Sequence, residues 1–310
     1  MEYINKIKIL VWGTGVDYSP NLIELLGTLM NKDLLGITRG GGIDIVGVTS
    51  NYKIKGSIDN IPFITKKEIT DLDFDYIVVT PNEYFSQIVS EAARMGIEHN
   101  KIIRQDIVKL PGFNFAKYME LKKSRLSIIS QNCFGGVLYN RFGLQFLSPT
   151  INMWTPRQSF LRMVNNLREY MNQKLQFREA RFNPDEKLVY PLYALGDVEW
   201  HMNHYTNFDE AEKKWYERAK RINWNNLLIA MWTNSEEELE EFDSLPYDKK
   251  VCFTTFKSNK KSAFYIPPIS NYKKFSRYLI GFAKGRFPLY DLWDLMLYGK
   301  KTPRMDFELM

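Results

Sequence analysis

Apolar and polar positions along the first hundred residues fall into blocks that read as strand, turn and helix in repetition. Ile7, Ile9, Leu10, Val11 and Trp12 form a β-rich run that empties into Gly13-Thr14-Gly15, and Pro20 to Asn31 then carries Leu22, Leu25, Leu26 and Leu29 at helical spacing. Strand-like runs follow at 43–49 and 75–80, and the spacing predicts a helix from about Glu83 to Met95 after the second. Such alternation argues a parallel, doubly wound sheet. Leu110-Pro111-Gly112-Phe113 interrupts it, and Asn114 to Lys123 reads as a helical connector, which divides the chain into domains at 1–123 and 124–310.

The second part also alternates. The pattern predicts strands at 126–130, near 175–179, near 197–204, near 226–232 and at 250–255. Helices are expected from Pro156 to Asn172, from Phe208 to Arg221, near 235–243 and from Pro288 to Tyr298. Pro156 suits a first helical turn, with Phe160, Val164, Leu167 and Met171 as a buried stripe, and Asn207 three residues before Glu210 reads as a helix cap. The fold class expected is α/β throughout: an N-terminal parallel-sheet domain followed by a second α/β domain.

Composition narrows this picture modestly. With 310 residues, 45% apolar and 25% charged, the chain has the make-up of an ordinary globular protein of about two domains. Its net charge of +6 suits an anionic partner, but the lysine pairs are scattered among acids and aromatics, so nucleic-acid binding is not expected. Two cysteines without paired spacing and no signal-like N-terminus point to a reduced, cytoplasmic setting. No run reaches the roughly 20 apolar residues of a membrane span, which leaves at most peripheral membrane contact. The sequence sets no oligomeric state.

Candidate chemistry gathers in two stretches. Ser127-Ile128-Ile129-Ser130 reads as a buried strand that opens into Gln131-Asn132-Cys133-Phe134-Gly135-Gly136, a loop placed to bind a ligand through Ser130, Asn132, Gly135 and Gly136, with Cys133 as a candidate nucleophile. The second stretch, Asp197-Val198-Glu199-Trp200-His201-Met202-Asn203-His204, read as a strand, puts Glu199, His201 and Asn203 on one face and His204 on the other. His201 is the candidate general base, oriented by Glu199 or Asp197, while Asn152, Trp154 and His204 are candidate substrate contacts. This split of the two histidines argues against a metal. In the N-terminal domain Gly13 and Gly15 could approach a phosphate, but Tyr18 stands where a third small residue is expected and the second strand ends in Ser50-Asn51 rather than an acid, so NAD is not expected and no cofactor is required.

The first 105 or so residues, through Ile45-Val46-Gly47-Val48, Ile61-Pro62-Phe63-Ile64, Asp75-Tyr76-Ile77-Val78-Val79, Gly96-Ile97 and Lys101-Ile102-Ile103, resemble the Rossmann-like modules at the N-termini of sugar-modifying enzymes. Residues 125 to 255, through Ser130-Gln131-Asn132-Cys133-Phe134-Gly135-Gly136, Ser148-Pro149-Thr150, Tyr190-Pro191, Leu195 to His201, His204-Tyr205 and Arg221 to Leu227, resemble a bacterial family of unknown function associated with exopolysaccharide and capsule biosynthesis. The resemblance implies surface-polysaccharide assembly and leaves the reaction open. Three readings follow as expectations: a transferase acting on a nucleotide sugar or sugar phosphate, a Cys-dependent hydrolase or acyltransferase, and a nucleotide-sugar-binding or scaffold protein without turnover.

Overall fold

Ile7–Trp12 (β1) is followed by the helix Pro20–Leu34 (α1), and Ile43–Thr49 (β2) then leads into the short pair Ser57–Ile58 (β3) and Ile61–Pro62 (β4). Tyr76–Val79 (β5), the helix Phe85–Arg94 (α2), Ile102–Arg104 (β6) and the helices Gln105–Val108 (α3) and Phe115–Ser124 (α4) complete the first part. The computed structural model describes residues 6–13, 20–34, 42–51, 56–58, 60–267, 275–284 and 289–304. The chain divides into two units, Met1–Lys122 and Lys123–Met310.

In the first unit the four main strands pair in parallel in the order β2-β1-β5-β6. Leu10 and Trp12 of β1 and Ile77 and Val79 of β5 pack against Ile88 and Ala92 of α2, which accounts for the apolar stripe of that helix. The order reverses between β1 and β5, the position where open parallel sheets commonly take ligands. Gly13 stands there for a different reason: its φ is +110°, and a Cβ would lie 2.2 Å from Cδ of Pro81. The missing side chain lets Pro81 close over the strand end, so the phosphate role expected of Gly13 has no support. Gly15 and Tyr18 lie outside the described residues.

The second unit begins with Ser127–Ser130 (β7), Phe134–Arg141 (α5), Arg157–Asn165 (α6) and Leu167–Met171 (α7). A meander of Leu175–Asn183 (β8), Leu188–Leu195 (β9) and Val198–His201 (β10) comes next. Then follow Phe208–Ala219 (α8), Leu227–Thr233 (β11), Glu236–Ser244 (α9), Lys249–Thr254 (β12), Ala263–Tyr265 (β13), Phe275–Ala283 (α10) and Leu292–Tyr298 (α11). Strands β7, β11, β12 and β13 pair in parallel in that order.

Both faces of this parallel sheet are covered, which explains why its strands read as nearly unbroken apolar runs. On one face Ile129, Ile229, Met231 and Cys252 join Phe160 and Val164 of α6, Leu239 and Phe242 of α9, and Trp200 and Trp215 from the meander and α8. On the other, Phe134 of α5 packs edge-on to Phe253, which meets Phe282 of α10 and Phe264. The cap expected at Asn207 forms, its Oδ1 accepting from the Glu210 N–H at 2.9 Å; Ser235, which the sequence pattern did not single out, caps α9.

Four elements differ from the sequence pattern. The helix expected over 156–172 breaks at Asn166, whose backbone (φ −129°, ψ 42°) leaves the helical region. The strand expected near 175–179 extends to Asn183 and pairs with β9 as a hairpin, and the one expected over 197–204 ends at His201. Gly135 and Gly136, expected in a loop, lie in the first turn of α5.

Candidate functional site

At the carboxyl end of β7 the backbone turns within three residues. Ser130 Oγ donates to Asn132 O at 2.7 Å and accepts from the Gly135 N–H at 3.1 Å, while Asn132 Oδ1 accepts from the Phe134 N–H at 3.0 Å. Two of the N–H groups that could have met an anion are therefore consumed by the turn. The glycines serve packing instead: a Cβ on Gly135 would lie 2.7 Å from Ser130 Oγ and 3.0 Å from Ile128 Cγ2, and one on Gly136 would lie 3.3 Å from Ile151 Cγ2. Helix α5 can thus lie close to the strand that precedes it. Gly135→Ala is expected to destabilise the fold by about 1–3 kcal/mol through overpacking, read as a lowered midpoint in urea unfolding.

A cleft of about 1400 Å³ opens beside this turn, at the carboxyl ends of β7 and β11. Gln131, Asn132 and Cys133 form one wall, with Asn152 and Trp154 beside them. The Phe182–Glu186 turn of the β8–β9 hairpin, Tyr190, Asn203 and His204 form another, and Arg157, Gln158, Trp232, Glu238 and the Ile280–Lys284 end of α10 complete it. The two stretches singled out in the sequence therefore meet in one cavity. Ligands of open α/β sheets characteristically bind at this end of the strands.

Trp154, like Phe182, is an exposed aromatic of the cleft. Its ring is stacked on His201 with centroids 3.9 Å apart and planes at 9°, yet 36% of the residue remains exposed. Backbone hydrogen bonds in both directions, Trp154 N–H to His201 O at 3.0 Å and His201 N–H to Trp154 O at 2.8 Å, fix the two residues side by side. His201 is itself buried, with Nδ1 3.3 Å from the Tyr190 hydroxyl. Burial pulls its pKa down to about 4, the Arg181 charge adding to the effect and Glu179 opposing it.

This geometry corrects the role expected of His201. An imidazole under a tryptophan ring, with so low a proton affinity, supports the platform and is a poor general base near neutral pH. Of its two expected orienting partners, Asp197 is engaged elsewhere and Glu199 stays within reach. Asp197 accepts from the Tyr170 hydroxyl at 2.6 Å and pairs with Arg162 at 3.0 Å, contacts that hold its carboxyl below the usual range. Glu199 is exposed, 3.9 Å from His201 Nε2.

Cys133 lines the cleft, but burial, with Glu186 adding, pushes its thiol up to about 12, and its Sγ lies 3.8 Å from the Met153 carbonyl. A thiol held in its protonated form is no nucleophile. Ser130, committed to the turn on both sides, is likewise not a substrate contact.

His204, expected only as a substrate contact, forms the histidine–carboxylate pair of the cleft. Its Nδ1 lies 3.0 Å from Oε2 of Glu186, in the hairpin turn. An ionised carboxylate only accepts, so the proton of a neutral His204 sits on Nδ1 and Nε2 keeps its lone pair. Along the same cleft three amide atoms are buried without a hydrogen-bond partner among the described residues: Gln131 Oε1, Asn132 Nδ2 and Asn203 Oδ1. Buried polar atoms are ordinarily paired, so three orphans along one cleft mark a surface built to meet polar groups. Across it Glu238 takes hydrogen bonds from Arg157 Nε at 2.6 Å and from Thr233, while the Arg157 guanidinium lies 4.8 Å from the Trp232 ring centre. Among the described residues no group of three or more His, Cys, Asp or Glu is disposed to hold a metal ion. No helix there is long and apolar enough to cross a membrane.

Sequence reasoning missed Arg157, Gln158, the 182–186 turn, Trp232, Glu238 and Lys284. The turn had a usable signal in Asn183-Pro184-Asp185, three turn-forming residues between extended runs. Glu238 had another, three residues after the cap Ser235.

A family model described as a domain of unknown function, DUF1919, matches residues 67–296, most of the chain and every residue of the cleft. The chain belongs to this family. The DUF1919 match begins within the first unit, and a second model, described as C2185-like, N-terminal, matches residues 5–103. An uncharacterized protein of Haemophilus influenzae is 34% identical over 151 residues, which cover 47% of this DUF1919 chain and 70% of that relative.

Proposed function

We propose that the cleft of the second unit binds a nucleotide sugar or sugar phosphate and that the protein is a transferase of exopolysaccharide or capsule biosynthesis. The observation that carries this reading is Trp154, an indole left exposed in a cavity and clamped from behind by His201. A flat apolar face ringed by amides suits a sugar, whose C–H faces stack on aromatic rings while its hydroxyls seek donors and acceptors. Gln131, Asn132 and Asn203 supply both kinds.

The His204–Glu186 pair gives this site a base. The hydroxyl oxygen of an acceptor attacks the anomeric carbon of the donor, the bond from that carbon to the phosphate oxygen breaks, and the phosphate departs with the bonding electrons. The hydroxyl proton passes to His204 Nε2, and Glu186 stabilises the imidazolium that forms. The setting in polysaccharide synthesis rests on the sequence resemblance. The high proton affinity of the Cys133 thiol weighs against a Cys-dependent hydrolase.

The test is to titrate the full chain with UDP-glucose, UDP-N-acetylglucosamine, GDP-mannose and glucose 1-phosphate, following thermal stability and binding heat. At least one is expected to stabilise the fold. Trp154→Ala is expected to weaken that ligand about tenfold to a hundredfold, the loss typical of an exposed aromatic anchor. Equal affinity in the variant would remove the platform role.

A further inference from the structure

Beside the cleft lies a second pocket of about 500 Å³, lined by Gly136, Val137, Asn140, Arg141, Phe146, Asn152 and Lys284. Val137, Asn152 and Lys284 line both cavities, so the two adjoin. The chemistry changes across that shared wall. The cleft carries three acids, Asp185, Glu186 and Glu238, beside its aromatic rings and amides, whereas among the described residues the smaller pocket has two cations, two amides and no acid.

Arg141 gives the pocket its meaning. Among the described residues its buried Nε has no hydrogen-bond partner, and neither Arg141 nor Lys284 forms an ion pair. A charged donor left buried and unpaired is a costly arrangement for a fold to keep. A guanidinium fork matches the paired oxygens of a phosphate or a carboxylate, and a lysine adds point charge. The turn at Asn132 cannot serve instead, because its first N–H groups are taken by Asn132 and Ser130.

We infer that Arg141 and Lys284 form an anion subsite that holds the phosphate or diphosphate of the ligand whose sugar lies on Trp154. That the phosphate is carried by a sugar rests on the function proposed above.

Calorimetric titration of the full chain with inorganic pyrophosphate and with glucose 1-phosphate tests this. Pyrophosphate is expected to bind with an affinity that falls as salt is raised. Arg141→Gln and Lys284→Gln are each expected to weaken it by about tenfold or more, and Arg141→Lys to recover only part of the loss. Arg162→Gln, which removes a surface cation paired with Asp197, controls for net charge and should change little. The subsite is overturned if wild type fails to bind pyrophosphate at about 10 mM, or if the Arg141 and Lys284 variants bind it as wild type does. If Arg141→Gln does not fold, Lys284→Gln decides alone. Glucose 1-phosphate binding that Trp154→Ala weakens and Arg141→Gln leaves intact would sink the subsite and keep the sugar cleft. Pyrophosphate binding that is lost in Arg141→Gln, with no gain from the glucosyl group, supports the subsite and counts against the sugar.

Discussion

His204→Gln is expected to lower the turnover of a sugar-nucleotide donor by about 10²- to 10⁴-fold, the usual contribution of a positioned acid–base group, with little change in KM. Glutamine preserves much of the bulk of the imidazole but cannot take a proton, so an effect on turnover alone separates chemistry from binding. Glu186→Gln should cost less, because it removes only the carboxylate that fixes the Nδ1 proton at 3.0 Å and steadies the imidazolium. The measurement is steady-state kinetics of the full chain with whichever donor stabilises it. Unchanged turnover in His204→Gln would deny the pair its role as base and leave the cleft a binding site. His201→Gln supplies the contrast: it disturbs the ring beneath Trp154 and should raise KM more than it lowers turnover.

The reason one histidine was legible as a candidate and the other was misassigned lies in long-range pairing. Period-two alternation correctly puts Val198 and Trp200 in the core and leaves Glu199 exposed on β10. It cannot reveal that Trp154 returns to bridge with His201 and covers it, a contact made across distant sequence. His204 falls beyond the strand end, where alternation has no authority, and its partner Glu186 sits in a hairpin that the pattern did not predict. That hairpin was hidden because β9 contains Pro191, which reads as a breaker, although it pairs opposite Ala180.

The parallel strands were readable for the opposite reason. Ile128, Ile129, Leu228, Ile229, Ala230 and Met231 are buried from both faces of the sheet, so composition alone marks them. The glycine pair shows where local reasoning fails. Gly135 and Gly136 are poor helix formers, yet they begin α5 because the helix must approach Ile128 and Ile151 closely. Tertiary contact overrides propensity there, and the same contact sets the direction in which α5 carries Arg141 toward its pocket.

The stability of the second unit is expected to fall as pH drops from about 6.5 to about 4, and His201 is expected to account for a separable part of the loss. Folded, its pKa is lowered from 6.5 to about 4, because burial, aided by the Arg181 charge, outweighs the Glu179 carboxylate. Between those values the unfolded chain binds the proton and the folded chain does not, so protonation favours unfolding; above about 6.5 neither form is charged and the penalty vanishes. The groups facing the ring are Trp154, the Tyr190 hydroxyl and Glu199 at 3.9 Å. The Trp154 face and the Glu199 carboxylate offset part of the cost of charging it, which leaves an effect on the order of 2 kcal/mol. Urea midpoints at neutral pH and near pH 4 measure it in wild type and in His201→Phe, which keeps an aromatic ring against Trp154 and cannot titrate. The carboxylates common to both chains cancel in that comparison, so the variant should lose less stability on acidification. Equal losses in the two chains would mean that His201 takes up its proton in the folded state near its ordinary pKa, and that the ring beneath Trp154 is better hydrated than its burial implies.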